Sequence, residues 1–243
     1  MVFIHGLNGE RYLTWGDLPV DMFEQFPHAD FGFYGYSSGF QKWNPFKSLS
    51  LEDEAQVLVD TLRDSPYKTI VLMGHSLGGV LIRIAITKMI EMKNFDLLQR
   101  IKVTYLFAVP QQGAHSLPAL FNLLNSDAAA LSRNSDLIKR TTRVFLDNFH
   151  TDETKPANAD SFWLPVYCIQ AIEDLWVKEL SAAINIKTSM RKVVRESHTS
   201  VVKGTNSEVS DWVISKLRLY LSPATPVKPK PRKMIRHGPT TST

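Results

Sequence analysis

The sequence predicts an α/β fold, a mostly parallel sheet with helices on both faces. Three observations predict it. Short β-branched or aromatic segments alternate with amphipathic helical stretches along most of the chain. An apolar strand pattern at 69–73 runs into a glycine-flanked serine and then a long apolar helical run. Finally, 243 residues that are 44% hydrophobic supply one sizeable core without disulfides, since the chain has a single cysteine, Cys168.

Val2-Phe3-Ile4 forms the first strand and ends in His5-Gly6-Leu7-Asn8-Gly9. The chain opens directly on this strand, which predicts either a compact N-terminal edge or one trimmed of earlier strands. A helix is expected around 21–26 and an aromatic strand over 31–36. Ser50 caps the next helix, with acids at 52–54 in the first turn, where the helix dipole favours negative charge. Leu51, Ala55, Leu58, Val59 and Leu62 recur at helical spacing and give it one apolar face.

The strand at 69–73 and a helix from 80 to 92 follow, then a strand at 102–109 closed by Pro110. Residues 113–162 show helical and connecting patterns without a clear strand, and suit a lid or insertion. Strand patterns resume at 165–170 and 192–195. A final helix over 208–219 buries Val209, Trp212, Val213, Ile214 and Leu217. Strands separated by helices require right-handed crossovers and therefore a parallel sheet. Cys168 lies in the apolar run 166–169 and suits a packed core thiol rather than a nucleophile.

Gly74-His75-Ser76-Leu77-Gly78-Gly79 sits at a strand-to-helix junction. A G-x-S-x-G in that setting is the nucleophile elbow of the α/β-hydrolase fold. Acyl transfer needs a nucleophile, a base, a group orienting the base, and donors for the oxyanion. Ser76 is the candidate nucleophile. His198, in the loop after the last strand, stands where the base belongs. Its one serious rival among seven histidines is His115, which precedes the expected acid. Glu173 and Asp174 both follow the strand ending near Gln170; Asp174 is preferred, and the sequence does not separate the two. The backbone amides of Leu77 and Leu7 are the candidate oxyanion donors.

The run from Val2 to Gly9 with Thr14-Trp15, then Phe33-Tyr34-Gly35-Tyr36-Ser37, then the elbow, resembles lipase-like serine esterases. The nearest groups are the serine-active-site-containing protein family and the lipase-like domains that include GPI inositol-deacylases. The resemblance spans about residues 2–115 and thins towards His198. It implies hydrolysis of carboxylic esters, often lipid esters, with no metal or organic cofactor. One departure stands out: Val109-Pro110-Gln111-Gln112-Gly113 replaces the Thr-Pro-His-x-Gly that these relatives carry, which weakens the lipid inference. An acyltransferase or thioesterase would use the same triad, and a binding protein could keep the fold without turnover.

The net charge of +4 is concentrated in residues 222–243, where Lys228, Lys230, Arg232, Lys233 and Arg236 meet no acid. The rest of the chain carries −1. That Pro-rich tail is expected to be disordered, with at most weak attraction to an anionic membrane surface. The expected partner is a small-molecule or lipid ester, and no nucleic-acid motif is present. No signal-peptide pattern is visible, so a cytoplasmic location is expected. The loop at 40–46 and the apolar helices of 113–149 are candidates for an acyl pocket.

Overall fold

The computed structural model describes residues 1–7, 9–36, 50–109, 136–137, 139–141, 143–144, 149–150, 162–174, 188–204 and 207–221. The expected tail, the loop at 40–46, His115 and nearly all of 113–162 lie outside the described residues.

The described strands are β1 (Val2–Ile4), β2 (Gly32–Tyr34), β3 (Ile70–His75), β4 (Ile101–Phe107), β5 (Phe149–His150), β6 (Phe162–Trp163), β7 (Val166–Ala171) and β8 (Arg191–Val194). Six of them form one sheet in the order β2-β1-β3-β4-β7-β8, and every pairing in it is parallel. The described helices are α1 (Leu18–Gln25), α2 (Leu51–Asp64), α3 (Leu77–Glu91), α4 (Phe95–Arg100) and α5 (Ser207–Leu217). This is the α/β-hydrolase fold.

Alternation along the strands divides the core in two. Ile4, Leu72, Leu106 and Cys168 face one way and pack against α2, α3 and α4. Phe3, Val71, Met73, Tyr105 and Tyr167 face the other way, against Trp15, α1 and α5. Cys168 is buried within the first layer and takes no part in a disulfide, as its apolar setting predicts.

Ser50 caps α2, its hydroxyl accepting from the Asp53 amide at 3.1 Å. The buried face of α2 is the one its spacing predicts: Leu51, Ala55, Leu58, Val59 and Leu62. Helix α3 is buried nearly all round, lying between α2 and the sheet.

Two features depart from the sequence expectation. Helix α4 has no counterpart in it, because six residues are too few to show a helical period. It is fixed from outside instead: the Arg100 guanidinium donates to the carbonyls of Arg63, Ser65 and Tyr67 at 2.7–3.1 Å. The stretch 113–162 is expected to hold no strand, yet β5 lies within it and pairs in parallel with β6, apart from the main sheet. Strands of two residues are too short for an alternation signal.

Candidate active site

Ser76 occupies the one-residue turn between β3 and α3, at φ 51° and ψ −120°. A non-glycine residue adopts that region only under strain, on the order of 1–3 kcal/mol, held by its surroundings. The surroundings here are specific. The Ser76 amide donates to Phe107 O at 2.9 Å, tying the elbow to the end of β4, and Ser76 O accepts from Gly79 N at 3.0 Å.

Behind the elbow the packing requires glycine. A Cβ on Gly78 would lie 2.2 Å from Ile4 O and 2.4 Å from His5 O, so α3 can reach β1 only with a bare Cα there.

The three candidate side chains meet. His198 Nε2 is 2.8 Å from Ser76 Oγ, and His198 Nδ1 is 2.6 Å from Asp174 Oδ2. A carboxylate only accepts, so Nδ1 carries the hydrogen and Nε2 of the neutral ring accepts from the serine hydroxyl. Each member follows the C-terminal end of its own strand: Ser76 after β3, Asp174 after β7, His198 after β8. The Asp174 side chain is 1% exposed and that of His198 12%. Glu173 is exposed, and its amide donates to Glu196 O at 3.1 Å. The structure therefore brings Asp174 to the histidine and leaves Glu173 at the surface.

The His198 turn has its own scaffold. Ser200 Oγ receives the Ser197 amide at 2.9 Å and donates to Glu196 Oε2, and Val201 N donates to Ser197 O. The Lys203 ammonium donates to Leu13 O, while Asp17 N donates to Lys203 O at 2.8 Å. These bonds join the turn to the segment that carries Trp15.

The two amides proposed from sequence for the oxyanion have different settings. Leu77 is the first residue of α3, where helical amides have no partner within the helix and the dipole is positive. Leu7 lies in a turn closed by Gly9 N donating to Gly6 O at 3.1 Å. The His5 ring adds a second donor to that carbonyl, Nδ1 lying 2.8 Å from Gly6 O. In a trans peptide the N–H points opposite to the C=O, so two bonds on Gly6 O fix the direction of the Leu7 amide. Among the described residues neither the Leu7 nor the Leu77 amide has an acceptor.

The sequence places His5 and His75 in turn motifs and Tyr36 in a strand, with no further role. Tyr36 lies beyond β2, stacks on the His5 ring with centroids 4.6 Å apart, and donates its hydroxyl to His5 O at 2.9 Å. Burial lowers the His5 pKa, keeping the ring neutral. The aromatic run 33–36 was a signal of this packing, but not of its partner.

Among the described residues no cluster of three or more His, Cys, Asp or Glu could hold a metal ion. No described helix is long and apolar enough to cross a membrane.

A family model described as "Putative serine esterase (DUF676)" matches residues 1–145. No curated protein matches the chain. Solved structures of α/β hydrolases do. The mature lipase BlEst2 of Bacillus licheniformis is 16% identical, with TM-score 0.53, over 89% of this chain and 90% of that one. An extracellular α/β-hydrolase from a Paenibacillus species is also 16% identical, with TM-score 0.52, over 88% and 97%. The meta-cleavage product hydrolase CumD of Pseudomonas fluorescens IP01 is 14% identical, with TM-score 0.57, over 90% of each chain. At these identities the likeness establishes the fold.

Proposed function

The chain belongs to the DUF676 serine esterase family, and from that premise we propose that it cleaves carboxylic acyl esters through Ser76, His198 and Asp174. The observation that carries the reading is the continuous path of hydrogen bonds from Ser76 Oγ through the His198 ring to a buried Asp174.

In this reading Ser76 Oγ attacks the ester carbonyl carbon as its proton passes to His198 Nε2. The carbonyl oxygen becomes an oxyanion between the Leu7 and Leu77 amides, each worth about 3 kcal/mol of transition-state stabilisation. The C–O bond to the alcohol breaks, and His198 returns the proton to the departing oxygen. Water, deprotonated by the same nitrogen, then attacks the acyl-serine; the acyl–Oγ bond breaks, Oγ takes the proton back from Nε2, and the acid is released. Asp174 holds the ring in the Nδ1–H tautomer and stabilises the imidazolium that forms between the two transfers. The strained backbone at Ser76 keeps the hydroxyl raised at the end of the sheet throughout.

The test is labelling by a fluorophosphonate, which phosphonylates only an activated serine. The intact protein is expected to take one label at Ser76, and folded Ser76→Ala and His198→Ala to take none. Labelling of either variant at the wild-type rate overturns the assignment.

A further inference from the structure

The His75 ring makes a contact for which the Ser–His–Asp relay has no use. His75 ends β3, is 5% exposed, and places Nε2 2.7 Å from the main-chain oxygen of His198. A carbonyl oxygen only accepts, so Nε2 carries the hydrogen and donates it. Burial lowers the pKa of this ring to about 3, with the neighbouring His198 acting in the same direction. The ring is therefore neutral at ordinary pH, with its one hydrogen on Nε2. That leaves Nδ1 as an acceptor, and among the described residues no donor reaches it. The fully buried Trp15 packs nearby, its ring 74° from that of His75 with centroids 6.5 Å apart.

We propose that His75 is a positioning residue for the catalytic base, holding the backbone of His198 so that its ring meets Ser76 and Asp174 together. The proposal rests on the hydrolase reading above. His198 lies in a turn beyond β8 rather than within a strand or helix, so its register against Ser76 needs an external reference. The Ser197–Ser200–Glu196 bonds shape the turn internally. The His75 bond ties it to β3, the strand that delivers the nucleophile. Two consecutive residues thus hold one histidine, His75 by its carbonyl and Ser76 by its ring.

A side chain needed only for packing would serve better as an apolar group of similar size, because burying an unpaired ring nitrogen costs stability. Such a cost is expected where precise placement of reacting groups matters more than stability.

The experiment compares His75→Leu, which removes the donor, with His75→Gln, whose side-chain amide restores one. The readouts are the fluorophosphonate labelling rate, kcat and KM for p-nitrophenyl butyrate, and the thermal midpoint. His75→Leu is expected to lose roughly 10- to 100-fold in labelling rate and kcat, with KM and thermal midpoint close to those of the parent. His75→Gln recovers most of the rate. Should His75→Leu fail to fold, His75→Phe, which keeps a ring in the site, replaces it in the same assays. Unchanged rates in the variant lacking the donor overturn the proposal, as does an equal loss in His75→Gln that follows its thermal midpoint.

Imidazole nitrogen NMR separates this proposal from the hydrolase reading. Absence of label on the intact chain overturns that reading and the catalytic role of His198 with it. The hold of His75 on the His198 turn is then read by itself: it stands if the hydrogen-bonded His198 Nδ1–H signal is lost in His75→Leu and returns in His75→Gln, and falls if that signal is unchanged in His75→Leu.

Discussion

Gly6 lies so close to Ser76 that a Cβ on Gly6 would be 2.8 Å from the serine's own Cβ. The same added atom would come within 3.1 Å of His75 Nδ1 and 3.2 Å of His75 O. The His-Gly turn and the elbow are therefore one packed unit, although about 70 residues separate them in the sequence. Close approach of the two segments brings the turn that carries Leu7 against the residue that precedes Leu77.

Gly6→Ala tests this contact. The turn must move by several tenths of an ångström, displacing the Leu7 amide from the reacting centre. The labelling rate is expected to fall about 100-fold, the scale of a lost oxyanion donor, while circular dichroism shows a folded protein. Gly78→Ala should behave differently, since its Cβ would meet the carbonyl oxygens of Ile4, which ends β1, and of His5 at 2.2 and 2.4 Å. Loss of soluble folded protein is expected there, measured by yield and thermal midpoint.

Asp174→Asn is expected to reduce kcat by about 10⁴-fold, because an amide at that position favours the wrong imidazole tautomer. Glu173→Gln, one residue away but exposed, should leave kcat within about twofold, as surface substitutions usually do. Equal losses in the two variants would remove Asp174 from its role.

How far the sequence could be read depended on whether the information was local. The strand–Ser76–helix unit was legible because strand period, glycine spacing and helix length all sit within consecutive residues. His198 was legible from its place after the last strand. Glu173 and Asp174 were inseparable in sequence because both are carboxylates in one short turn. What separates them is that β7 ends at Ala171 and the turn leaves Ile172 and Glu173 exposed before burying Asp174. The contacts of His5 with Tyr36 and of His75 with His198 were not legible. They span 31 and 123 residues of sequence and depend on the direction of a ring.

His5→Phe keeps a ring to stack on Tyr36 but removes the Nδ1–H that holds Gly6 O. One of the two bonds fixing the Leu7 amide is lost and the Gly9 bond remains. A fall in kcat of about tenfold is expected, less than the roughly 100-fold for loss of the donor itself. KM should change little, since the interaction strengthens in the transition state. Steady-state kinetics on a p-nitrophenyl ester checks it. A change confined to KM would assign His5 to substrate binding instead.

The buried His75 ring also sets an acid limit on the fold. Its pKa is about 3 in the folded protein and about 6.5 in an unfolded chain. Above pH 6.5 neither state protonates it and it adds no pH dependence. Between pH 6.5 and 3 the unfolded chain binds a proton that the folded protein does not, so stability falls as pH falls. The slope approaches about 1.4 kcal/mol per pH unit. His5 is shifted in the same direction and adds to the effect. His75→Leu lacks the first contribution. Urea midpoints at pH 7, 5.5 and 4.5 should therefore favour His75→Leu increasingly as the solution is acidified. Parallel curves across that range would mean that His75 is not held neutral in the folded protein, and its single-donor tautomer would go with it.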